Sequence, residues 1–141
     1  MGITSLNTFV NSLTAITIAG VNRAYTEGMP DKINPADLPA LFARIVEGGD
    51  QGLTTKTYGG WPSLICELII AVELVGLNTV PANHAAVVDL IDALNNAVRA
   101  LDVGSGNFGR GGLSWSWRLS NEETVGDQRV WAVVARFEGR G

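Results

Sequence analysis

The sequence predicts an α+β protein: a single mixed or antiparallel sheet packed on one face by two helices, with a C-terminal β-hairpin. Three observations predict it. Residues 64–75 alternate as a long strand, and one phase (Leu64, Cys66, Leu68, Ile70, Val72, Leu74) is wholly apolar. Residues 81–101 repeat Val87, Leu90, Ile91, Leu94, Val98 and Leu101 as one stripe, with Asp89, Asp92, Asn95, Asn96 and Arg99 off it. Two strand-like runs, 113–119 and 129–137, close the chain.

The remaining elements follow in order. Leu6, Phe9, Val10 and Leu13 recur at helical spacing behind Thr4 and Ser5, both good N-caps, so residues 5–16 read as a short amphipathic helix. Val21–Thr26 is a short extended piece. Pro30, Pro35 and Pro39 then fall within ten residues, a density that stops helix and sheet interiors alike, so 28–39 reads as an ordered surface loop. Ala40–Val46 reads as a strand ended by Gly48-Gly49. The mixed phase of the long strand carries Ile65, Glu67, Ile69, Ala71, Glu73 and Val75. Thr79 before Pro81, or Asn83, starts the long helix. Residues 104–112 hold five glycines and read as a flexible connection. In 113–119, Leu113, Trp115, Trp117 and Leu119 share a face opposite Ser114, Ser116 and Arg118. The polar stretch 120–128 is expected to join the last two strands as a long, poorly ordered loop. With no repeat and no dividing linker, residues 1–141 form a single domain on this reading.

Composition narrows the function. Apolar residues make up 46% of 141 residues and charged residues 17%, enough for a core and no case for disorder. A net charge of −4 lacks the basic surplus with which nucleic-acid binders neutralise phosphates. One cysteine, Cys66, allows no internal disulfide, and one histidine, His84, no His-rich metal site; a reducing compartment is the simplest fit. The apolar run Leu68–Val72, bracketed by Glu67 and Glu73, is far short of the ~20 residues that span a bilayer. No basic residue precedes Arg23, against a secretory signal. Leu6 stands where a myristoylation motif has Ser or Thr.

A search for chemistry finds little, and the expectation is a protein that is not an enzyme, with no catalytic, cofactor-binding or metal-ligating residues. A Ser-His-Asp triad could use only His84, which opens a helix, and no Gly-x-Ser-x-Gly elbow is present. Cys66 lies on the apolar phase of its strand and reads as an inert small hydrophobe. Gly104-x-Gly106-x-x-Gly109 has the glycine spacing of a dinucleotide fingerprint, but it follows a helix and precedes a strand, the reverse of the required context. Glu67 and Glu73 share a strand face but stand roughly 20 Å apart, too far to work on one bond. They read as surface or interface charges, paired with Arg118 or Arg136 across the sheet. Arg110 sits at the tip of the glycine-rich segment. These five residues are the candidate interface.

The strands offer more apolar face than two short helices cover, and Trp61, Trp115, Trp117 and Trp131 are the large aromatics that favour interface cores. A filled core and a subunit interface both account for them.

The pattern as a whole resembles the tail terminators of long-tailed, lambda-type bacteriophages. The resemblance rests on the N-terminal helix, the proline-rich stretch Pro30–Ala40 and the long apolar strand. A helix like Pro81–Leu101 and a closing hairpin with a tryptophan or tyrosine before the last strand (here Arg129-Val130-Trp131-Ala132-Val133) complete it. It runs over most of the chain as a rhythm of elements, and the glycine-rich 104–112 departs from the compact connection expected there. It implies a homo-oligomeric ring, a hexamer, that caps the tail tube, ends tube growth and meets the head-side neck proteins. The implied partners are the tail tube protein and neck or head-completion proteins, with genomic DNA only passing through the pore, no membrane and no cofactor. The implied location is the head–tail junction of the virion, after assembly in the host cytoplasm. Another neck protein, a ligand-binding module built on Trp115 and Trp117, or a small enzyme of scattered acids and arginines are the alternatives.

Overall fold

The computed structural model describes residues 6–25, 30–49, 63–75, 84–101 and 112–140. They form one five-stranded mixed sheet with two helices, the α+β fold expected. In chain order the elements are α1 (Leu6–Thr14), β1 (Arg23–Tyr25), a 3₁₀ turn (Pro35–Asp37), β2 (Ala40–Gly49), β3 (Ser63–Leu74), α2 (His84–Arg99), β4 (Gly112–Val125) and β5 (Gln128–Arg140). The spatial order is β1-β2-β3-β5-β4, with β1 parallel to β2 and every other pair antiparallel.

One face carries the helices. Phe9 and Leu13, one turn apart on α1, are fully buried. Val87, Leu90, Leu94 and Val98 of α2 form the stripe that its periodicity requires. They close over Leu41, Leu64, Cys66, Leu68, Ile70, Val133, Ala135 and Phe137 of the sheet. Each large side chain buried here is worth roughly 1.5–3 kcal/mol. Arg99 in the last turn of α2 complements the carbonyl end of that helix.

The opposite face is not left bare. Phe42, Ile69, Ala71, Val130, Ala132 and Val134 form a second core with Ile33 and Val125, and Tyr25 and Leu38 pack on it. Part of its cover is the proline-rich segment. There Asn34 Oδ1 accepts from Ala36 N at 3.1 Å, and Asn22 Nδ2 donates to Leu38 O at 2.6 Å. The rest of the cover is the β4–β5 hairpin tip, which curls back across the sheet. Chain segments, not the two helices, cover this part of the surplus apolar face.

The hairpin corrects one expectation. Residues 120–128 are not a loose loop: β4 runs to Val125, which pairs with Gln128 across a two-residue turn. Gly126 has φ +59 and Asp127 has no positive φ, the pattern of a type II′ turn. An irregularity between Ser120 and Glu123 bends the strand, and Arg129 secures it by donating to Asn121 O at 3.0 and 3.3 Å. Trp131 lies inside β5, as the strand-like run 129–137 predicts, and is 7% exposed. β2 likewise continues through the two glycines expected to end it. The glycine-rich 104–111, Trp61 and the expected start of the long helix at 79–83 lie outside the described residues.

Candidate functional site

Charge concentrates on the second face, at the rim of its core. Arg44 on β2 is the cross-strand partner of Glu67 on β3, and Glu67 is in turn the partner of Arg136 on β5. Arg44 Nε and Nη2 both donate to Glu67 Oε1, at 3.1 and 2.6 Å. Its Nη1 and Nη2 donate to Glu123 Oε2 and Oε1 at 2.8 and 3.3 Å. Arg118 on β4 closes the ring of charges, donating Nη1 to Glu67 Oε2 at 3.1 Å and standing 3.7 Å from Glu123. Two strands separate β2 from β4 at about 4.8 Å per step, so a flat sheet would hold these charges too far apart. The cluster exists because the hairpin curls, and it holds the curl in place.

Its electrostatics run from a negative interior to a positive rim. The carboxylate side chains of Glu67 and Glu123 are 10% and 13% exposed, against 36% for Arg44 and 53% for Arg118. Burial alone would push the Glu67 carboxyl upward, but hydrogen bonds from Arg44 and Arg118, and their charges, hold it below its ordinary range. The hydrogen bond to Glu123 leads the effects that raise Arg44 above its usual value. A carboxylate held ionised between two guanidinia is a weak proton acceptor, so the cluster is suited to clamping strands. Cys66, 1% exposed, has its thiol pushed up to about 11 by burial, which keeps it protonated and unreactive at neutral pH.

The expected interface residues separate on this geometry. Glu67 is 8% exposed and is paired within its own chain, with Arg44 and Arg118. Glu73 does not share its face: an irregularity at Val72 pairs Glu73 with Trp131, whereas Ile69 and Ala71 pair with Val134 and Ala132 of the second core. Arg118 belongs to the clamp yet keeps half its side chain in water. Arg136 is exposed, and no ion pair joins it to Glu67 among the described residues. With Ser114, Trp115, Ser116 and Glu138 it lines a shallow hollow of about 390 Å³. Arg110 lies outside the described residues.

Sequence reasoning missed Arg44 and Glu123. Arg44 falls within the 40–46 strand and Glu123 within the 120–128 stretch read as a loop, and neither was singled out. The available signal was Arg44 itself, a single cation in the otherwise apolar run 40–46.

Large apolar side chains also reach the surface. Trp117 and Leu119 of β4 are 47% and 38% exposed, while Trp115 on the same face stacks on Phe137 at 6.0 Å with the rings 13° apart. Among the described residues, no three His, Cys, Asp or Glu side chains gather into a metal-holding group, and no helix is long and apolar enough to cross a membrane. No protein-family model and no curated protein matches the sequence.

Proposed function

We propose that this chain is a structural virion protein of the tail-terminator kind, forming a six-membered ring that caps the tail tube, ends its growth and meets the neck proteins. The observation that carries this reading is the order of its elements. An N-terminal helix, a proline-rich segment seated on the sheet, a long apolar strand, a second helix and a closing hairpin follow one another, the rhythm on which the resemblance rests. The clamp supports it as well, since Arg44, Glu67, Arg118 and Glu123 stiffen a sheet without offering a reactive group. On this reading the ring works through its surfaces and takes no cofactor. Its partners are the tube protein and the neck, DNA passes through the pore, and the ring stays at the head–tail junction.

The test is to locate the chain in purified tails and weigh the assembly that holds it. The expected result is a ring of six times 14.9 kDa, about 89 kDa, at the head-proximal end of the tube. A chain that is monomeric in tails, or absent from them, overturns the reading.

A further inference from the structure

We infer that β4 pairs antiparallel with β4 of a second copy of this chain, about a two-fold axis through Ser116. The two edges of the sheet are very different. β1 at one edge has three residues, too few to template another strand, whereas β4 at the other has fourteen. The ladder of β4 with β5 is regular from Gly112 to Ser120, and nothing among the described residues pairs with the outer side of that stretch. It lacks the usual protections of an edge. It contains no proline and no lysine, and its one charge, Arg118, is drawn onto the second face by Glu67 and Glu123.

The stretch is also self-complementary. Ser116 is the midpoint of Gly112–Ser120 and of the segment Leu113-Ser-Trp-Ser-Trp-Arg-Leu119. An antiparallel pair centred there sets Leu113 against Leu119 of the other copy and Trp115 against Trp117, each twice by symmetry. These rungs lie on the helix face, where Trp117 and Leu119 are now exposed. The pairing extends an existing stack, because Trp115 already lies on Phe137 and meets the second copy's Trp117 on its other side. On the opposite face Ser116 meets Ser116 and Arg118 meets Ser114, so no like charges are opposed. Beyond Ser120 the irregularity turns β4 away and limits the pairing to this segment.

This contact goes beyond the ring reading. A two-fold contact uses the same patch on both copies and closes at two, so it cannot be the repeating contact of a six-fold ring. It describes the free chain.

The test is a cysteine pair scan on the full chain. Cys66 is buried, so an introduced surface thiol is the reactive one. Ser116→Cys places two thiols directly across the axis, within disulfide reach, and is expected to give a covalent dimer of twice 14.9 kDa under mild oxidation. Ser114→Cys places them about 13 Å apart along the strands and is expected to remain uncross-linked. Trp117→Lys, at a half-exposed position, is expected to weaken the dimer roughly tenfold or more in sedimentation velocity with the circular dichroism unchanged. Leu119→Lys serves as the second variant if Trp117→Lys is misfolded. The inference is overturned if the parent chain is monomeric at every concentration, or if Ser114→Cys cross-links as readily as Ser116→Cys. Association that survives both lysine variants overturns it too. A six-membered assembly in that last case leaves the ring reading standing without β4, and a β4 dimer absent from tails does the reverse.

Discussion

Glu67→Ala is expected to lower the unfolding free energy by about 2 kcal/mol at neutral pH, the cost of leaving two guanidinia short of a carboxylate. The figure lies below the 3–5 kcal/mol range for breaking a wholly buried pair. Arg44 keeps Glu123, and Arg118 is half in water and can rehydrate. The same carboxylate makes the protein acid-sensitive. Its folded pKa is depressed below the ordinary 4.5, so its contribution is fully present above that value and is lost as pH falls through the folded pKa. Glu67→Gln keeps the volume but not the charge, and should flatten the stability profile below pH 4.5 relative to the parent. Urea titrations at neutral pH and across the acid range measure both effects. An unchanged acid slope in Glu67→Gln would show that other carboxylates control acid unfolding.

The second large effect belongs to the hairpin turn. Gly126→Val is expected to cost about 3 kcal/mol from two sources. At φ +59 a β-branched side chain is strained, and a Cβ at this position collides with the carbonyl oxygen of Asp31. The backbone at Asp31 cannot yield as a flexible side chain would, so the tip must lift. Lifting exposes Val125 and Ile33 of the second core and pulls Glu123 from Arg44. Hydrogen exchange should therefore accelerate at Val125 and Val130 while the amides of α2 keep their protection. Acceleration across the whole sheet would mean that the tip and the helix layer unfold together.

How much of this was legible in the sequence differs by element. β3 and α2 were legible because their apolar residues repeat at one period over many residues, and Cys66 could be placed from its phase alone. The second core was not, because Ile33 and Val125 reach it from segments whose own sequence is dominated by prolines or polar residues. The polar stretch 120–125 looked like a loop for the same reason. Its charges are polar because they serve the clamp and the surface, yet its backbone is paired. The shift at Val72 that moves Glu73 off Glu67's face leaves no mark in the alternation. Of the two partners the sequence offers Glu67 (Arg118 and Arg136), Arg118 is the one that pairs with it, but the curl that brings Glu123 to Arg44 cannot be read from strands taken one at a time.

The placement of β5 bears on the route by which the chain folds. Its partner on one side, β4, adjoins it through a two-residue turn, so that hairpin closes a small loop and can form within microseconds. Its partner on the other side, β3, is separated from it in sequence by all of α2 and β4. Bringing β3 and β5 together closes a long loop, with an entropy cost that must be met before Ile69, Ile70, Val133 and Val134 reward it. The β3–β5 seam is thus expected to be the late, rate-setting event, leaving β3 with an unpaired apolar edge until it closes. In a chevron series, truncating Ile70 or Val133 should slow folding as well as speed unfolding. Trimming Tyr25 at the short parallel edge should act on unfolding alone.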